Sequence, residues 1–136
     1  MGLDMYLYRK PKTTKGKILC KIKNGRADEE VGYWRKANHI HAWFVNECGQ
    51  GIDKCQTILV SQKKLIELLE RLNRVQKSHR KLIAEELLPP QGGFFFGRTD
   101  IDDDYWEGIN ESIKIISKVL KETDFETERI VYQASW

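Results

Sequence analysis

Apolar and polar positions alternate at the start of the chain. In residues 3–9, LDMYLYR, Leu3, Met5 and Leu7 face one way and Asp4, Tyr6 and Tyr8 the other. That period of two belongs to a half-buried strand. A turn-rich basic loop, KPKTTKGK, follows, and KILCKIK at 17–23 alternates again as a second strand. Residues 24–32, NGRADEEVG, are polar with two glycines and read as a loop. The period then changes. Over 33–48 the residues Trp34, Ala37, Ile40, Trp43 and Phe44 recur at three- and four-residue spacing, the stripe of an amphipathic helix. Asn38 and His41 border the stripe, Arg35 sits nearby, and the glycines of GQGIDK end the helix.

QTILV, residues 56–60, predicts a short strand. Ser61 then caps a long helix, with Lys64 where a capping box would place Glu. Its stripe is Leu65, Leu68, Leu69, Leu72, Val75, His79, Leu82 and Ile83, and it runs to Leu88, where Pro89 and Pro90 stop it. One of the aspartates 102–104 caps a third helix over about 104–122, striped by Trp106, Ile109, Ile113, Ile116, Val119 and Leu120. ERIVYQAS, residues 128–135, is a last strand.

Strands and helices in this order, without regular strand–helix–strand alternation, predict the α+β class: a small, mostly antiparallel sheet with about three helices packed on one face. The strands 3–9 and 128–135 are expected to be neighbours. A helix over 61–88 would be about 40 Å long at ~1.5 Å per residue, more than the width of so small a domain. Either it breaks near 77–79 or its surplus stripe meets another subunit, and the reading favours a homodimer or larger closed oligomer.

At 136 residues the chain has the length of a single domain, 1–136, and 40% hydrophobic against 32% charged residues is ordinary for a globular protein. No apolar run approaches a membrane span, and the N-terminal MGLDMYLYRK has no apolar stretch of signal-peptide length, so a cytoplasmic protein is expected. Three cysteines, Cys20, Cys48 and Cys55, are an odd number and read as free thiols. The net charge of +3 conceals a polarity: residues 1–26 carry eight Lys or Arg against the single acid Asp4, and residues 99–128 carry ten acids against three lysines. The basic segment matches no helix-turn-helix, finger or RNA-binding signature, so nucleic acid is not the expected partner.

Candidate chemistry gathers in PPQGGFFFGR, residues 89–98. Glycines leave backbone N–H groups open to a ligand, Gln91 and Arg98 add donors, and phenylalanines offer faces to a base. The ligand-binding candidates are Gln91, Gly93, Phe95, Phe96 and Arg98 here, Tyr33, Trp34, Arg35, Asn38 and His41 in the helix before, and Tyr105 after. Against this stands a plainer reading, in which the phenylalanines plug the core and His41 is a hydrogen-bonded structural residue. Asp100, Asp102, Asp104 and Glu111 fall at calcium-loop positions, but Tyr105 stands where that loop needs glycine, and helix capping explains the aspartates. His39, His41, Cys48 and Cys55 match no common zinc spacing. P-loop and GxSxG motifs are absent, and nothing calls for a cofactor or names a catalytic residue.

MGLDMYL, YWRKAN followed by IHAWFV, LLPPQGGFFFG followed by DDDYW, and ASW stand in an order that resembles a family of small bacteriophage-encoded proteins of unknown function. The resemblance spans nearly the whole chain. It implies the cytoplasm of an infected bacterium, and a role in host takeover or counter-defence. Together with the site chemistry it leads to a non-enzymatic protein that captures a small anionic ligand, a nucleotide immune signal of the host being the leading candidate. The alternative is a protein that binds and blocks a host defence protein; an enzyme acting on nucleotides ranks third.

Overall fold

The computed structural model describes residues 2–11, 13–14, 17–18, 29–91 and 100–136. The chain forms β1 (Asp4–Pro11), β2 (Thr13–Thr14), β3 (Lys17–Ile18), β4 (Glu29–Arg35), α1 (Asn38–Cys48), β5 (Ile58–Val60), α2 (Gln62–Ser78), α3 (Lys81–Leu87), α4 (Asp103–Glu122) and β6 (Glu128–Ser135). The alternating segments expected at 3–9 and 128–135 are β1 and β6. They pair antiparallel from Asp4↔Ser135 to Pro11↔Glu128 and form the middle of a four-stranded sheet of order β4-β1-β6-β5. Every pairing in that sheet is antiparallel. β2 and β3 pair separately with each other; residues 19–23 of the expected second strand lie outside the described residues.

The architecture is α+β, as the order of elements predicts, with four helices among the described residues rather than about three. Met5, Leu7, Trp34, Ile58, Val60, Ile130, Tyr132 and Ala134 from the sheet join Ile40, Phe44, Leu65, Leu68, Leu72, Ile109, Ile116 and Val119 from the helices in one core. α4 packs on β4, α1 on β5, and α2 against α4. No described helix is long and apolar enough to cross a membrane.

Two boundaries differ from the periodic reading. Residues 33–35 are not helical: they end β4, where Tyr33, Trp34 and Arg35 pair with Tyr6, Met5 and Asp4. Lys36 then adopts a left-handed conformation at φ 56°, its N–H donating to the Leu3 carbonyl at 2.7 Å, and the helix starts only at Asn38. Trp34 and Ile40 are both buried, so a strand followed by a helix puts the same residues inside as one continuous helix would. The long helix also breaks. His79, left-handed at φ 49°, caps α2 with its N–H on the Val75 carbonyl at 3.0 Å, and α3 begins two residues later. The His79 ring stacks on Trp106 at 4.0 Å, which holds the corner against α4. The break removes the length argument for an oligomer, although Leu82 remains 74% exposed.

Candidate functional site

The junction of β4, α1 and α4 encloses a cleft of about 510 Å³. One wall is a continuous piece of chain: Arg35 at the end of β4, Lys36 in its left-handed turn, then Ala37, Asn38 and His39 opening α1. The facing wall is the start of α4, with Asp102, Asp104, Glu107, Gly108 and Glu111; Trp34, Tyr105 and Pro90 complete the lining. The spacing of 104, 107, 108 and 111 sets those four residues on a single face of α4.

Several side chains here are committed to structure. Asp102 caps α4, its Oδ1 accepting from the Tyr105 N–H at 3.2 Å. This is the capping reading of the aspartate run, and among the described residues no group of three or more His, Cys, Asp or Glu could hold a metal ion. The Tyr105 hydroxyl donates to the Leu88 carbonyl at 2.7 Å, and burial holds its pKa well above the usual tyrosine range. Trp34 donates through Nε1 to Ser112 Oγ at 2.8 Å. Asn38 Oδ1 accepts from the Gln91 N–H at 3.1 Å, tying the chain after the two prolines to the start of α1.

The basic wall is less constrained. Among the described residues neither Arg35 nor Lys36 is held in an ion pair. Gly2 passes beside both: a Cβ there would lie 3.3 Å from Lys36 Cε and 3.7 Å from Arg35 Nη2, so glycine is what lets the N-terminal chain run against them. Ala37, at the N-cap of α1, has no side-chain oxygen to satisfy the first N–H groups, and the first turn of α1 has no acid. Two cations and an uncapped helix start therefore face the cleft from one side, and a row of carboxylates faces it from the other.

His39 is 5% exposed and packs against Tyr105, ring centroids 4.2 Å apart. Burial pushes its pKa down to about 3, so it is neutral at physiological pH. Its Nε2 has no hydrogen-bond partner among the described residues, and neither does Nε1 of Trp43. A buried polar atom left unmatched costs about 1–3 kcal/mol.

The comparisons with known proteins leave the site to be read from its own chemistry. No protein-family model, curated protein or solved structure matches this chain.

Of the residues the sequence singles out, Trp34, Arg35, Asn38 and Tyr105 come together at the cleft, and Gln91 is bonded to it. Trp34 and Tyr105 are buried and show the cleft no open ring face. Two candidates stand elsewhere. Tyr33 projects between Asp4, to which its hydroxyl donates at 2.7 Å, and Tyr6, because strand alternation turns it away from Trp34. His41 lies in an interior chain: Nδ1 meets the Tyr132 hydroxyl at 2.6 Å, Nε2 meets Asp53 Oδ2 at 2.9 Å, and Asp53 Oδ1 accepts from Trp136 Nε1 at 3.1 Å. Burial holds Tyr132 far above the usual tyrosine pKa, and these bonds tie α1 to β6 and to the segment after α1. Gly93, Phe95, Phe96 and Arg98 lie outside the described residues. Cys48 and Cys55 are free thiols, and burial raises Cys48 to about 11; Cys20 lies outside the described residues.

The ligand-binding set read from the sequence leaves out Lys36, His39, Glu107 and Gly108. A signal for Lys36 was present: two adjacent cations precede Ala37 and Asn38, with no acid close behind.

Proposed function

We propose that this protein captures a small anionic ligand in the cleft between α1 and α4, a nucleotide being the class that fits best, and holds it without chemical change. The observation that carries this reading is the basic wall: Arg35 and Lys36, without ion-pair partners among the described residues, stand directly before the uncapped N-terminus of α1. Helix N–H groups and adjacent cations together make a phosphate-binding arrangement. The carboxylates opposite suit the hydrogen-bond donors at the edge of a base, so a ligand with a phosphate at one end and N–H groups at the other answers both walls. Capture rather than turnover is favoured because the Tyr105 hydroxyl is committed to the Leu88 carbonyl and burial keeps His39 from being the imidazolium that a general acid would need. The resemblance to small phage proteins supplies the setting, sequestration of a nucleotide immune signal of the bacterial host.

The test is to incubate the purified protein with a bacterial nucleotide extract, wash, denature, and identify what is released by mass spectrometry. The expected result is an unaltered nucleotide, retained by the wild type and reduced roughly tenfold or more by Arg35→Ala or Lys36→Ala. An empty protein, or equal retention by these variants, overturns the reading; release of an altered nucleotide replaces it with an enzyme.

A further inference from the structure

All four described helices share one core with the sheet face of Met5, Leu7, Trp34, Ile130 and Tyr132. Strand alternation turns Tyr6, Tyr8 and Lys10 of β1, Tyr33 of β4 and Arg129 of β6 to the opposite face. That face is open to solvent: Tyr33 is 44% exposed, Tyr6 and Tyr8 are partly exposed, and Arg129 is exposed. Three phenol rings adjoin on it. Tyr6 stacks on Tyr8, centroids 5.8 Å apart and planes 14° from parallel, and meets Tyr33 of the neighbouring strand at 5.3 Å. The Tyr33 hydroxyl donates to Asp4 at 2.7 Å, which holds that ring in place.

Positive charge stands at one end of the rings. Lys10 and Arg129 are directly opposite each other across β1 and β6, next on this face after Tyr8. Like charges so placed repel, and an anion laid across them relieves the repulsion. From Lys10 the chain runs on into KPKTTKGK, residues 10–17, with four lysines and no acid. Asp4 and Glu30 are the carboxylates in register with the rings, so an anionic backbone is directed to the Lys10–Arg129 end. The acids of α4 belong to the helical layer. Ring faces beside cations are the two components of single-strand recognition, because every base has a face to stack and every phosphate a charge to match. A duplex keeps its bases inside and offers the rings nothing. An acidic peptide answers the cations but not the rings.

We infer that the open face of the sheet binds single-stranded nucleic acid, with about two or three bases on Tyr6, Tyr8 and Tyr33 and phosphates at Lys10 and Arg129. No linear nucleic-acid signature marks this face, because β1, β4 and β6 assemble it from segments far apart in the sequence. The inference stands apart from the nucleotide reading, because none of these five residues lines the cleft.

The test is fluorescence anisotropy with short labelled oligo(U) and oligo(dT) at about 50 mM salt, with a labelled DNA duplex of the same length and labelled polyglutamate as controls. The expected result is saturable binding of at least one single strand with a Kd of about 10 µM or tighter, and binding of both controls weaker by about tenfold or more. The double variant Tyr8→Thr, Tyr33→Thr, which keeps strand-forming residues in place, should weaken single-strand binding about tenfold or more. Tyr33→Phe, which keeps the ring, should bind like the wild type. Arg129→Gln should lower the slope of log affinity against log salt by about 0.7. The inference is overturned if no single strand binds at up to about 100 µM protein, if either control binds as tightly, if the folded double variant binds like the wild type, if Tyr33→Phe loses as much as the double variant, or if Arg129→Gln leaves the slope unchanged. Displacement of the strand by mononucleotides as readily as by unlabelled strand would place it in the cleft and overturn the inference too. So would a dimer in light scattering that the double variant turns into a monomer, since the face would then belong to a second copy. Should the double variant fail to fold, the contrast between single strand and duplex and the Arg129→Gln slope decide.

Discussion

The indole of Trp34 donates to the hydroxyl of Ser112 across 2.8 Å, joining strand β4 to helix α4 inside the core. Ser112 passes the bond on, donating to the Gly108 carbonyl at 2.6 Å. Ser112→Ala would leave the indole N–H buried and unmatched, so a loss of about 1–2 kcal/mol is expected. Trp34→Phe removes the donor together with packing, and the double variant should lose less than the sum of the two. Urea unfolding of the four proteins checks this; additive losses would mean that the bond carries no stability.

His39 makes folding sensitive to acid. Its pKa of about 3 in the folded protein lies below the ~6.5 of an unfolded chain, so the unfolded state takes up the proton first. Stability should be level above about pH 6.5 and then decline by about 1.4 kcal/mol per pH unit until the folded pKa is reached. Between pH 7 and 5.5, before most carboxylates titrate, the wild type should therefore lose about 1.4 kcal/mol more than His39→Leu. Parallel pH profiles for the two proteins would contradict the buried neutral imidazole.

Arg9 continues the inward positions of β1 after Met5 and Leu7, a charge where alternation calls for an apolar residue. It is buried, with Nε donating to Thr123 Oγ1 at 3.2 Å, Nη1 on Glu29 at 3.2 Å, and Glu122 and Glu128 each at 4.0 Å. Arg9→Met should cost about 2–3 kcal/mol, below the usual figure for breaking a buried pair because Glu29 and Glu122 remain half in solvent. Raising the salt concentration should reduce the difference between variant and wild type in thermal melts; a salt-independent difference would point to lost packing alone.

Lys36 holds a conformation that suits glycine, at the rim of the cleft. Lys36→Gly should leave stability unchanged or raise it by up to about 1 kcal/mol, while binding of inorganic phosphate or a nucleotide weakens about tenfold. Calorimetric melting and titration read the two effects separately. Destabilisation by glycine would show that the turn is not strained.

The parts of this fold that could be read in advance are those where one period accounts for burial. Leu3, Met5 and Leu7 admit only a strand, and Ile109, Ile116 and Val119 only a helix, and β1 and α4 follow. The break at 77–79 was one of two ways to fit a stripe too long for the domain. The segment 33–37 was misread because Trp34, Ala37 and Ile40 satisfy a helical stripe, and the turn between strand and helix is made by a lysine, a residue that does not advertise positive φ. The cleft was half legible. Arg35 and Asn38 were found because their types suit ligands. His39 was weighed only as a zinc ligand, because its place at the cleft depends on α4 closing over it through Gly108, where a Cβ would come within 3.1 Å of the ring.

The pairing of β1 with β6 sets a schedule for the newborn chain. β4 is available to β1 early, but the other edge of β1 waits for residues 128–135, which are made after all the other described strands and helices. At bacterial and eukaryotic rates of synthesis that interval is roughly 6–25 s. Throughout it the unpaired edge of β1 offers bare N–H and C=O groups to any other strand. Nascent chains stalled before residue 128 should therefore bind holdase chaperones or cross-link to one another, and chains long enough for residues 128–135 to have emerged should not.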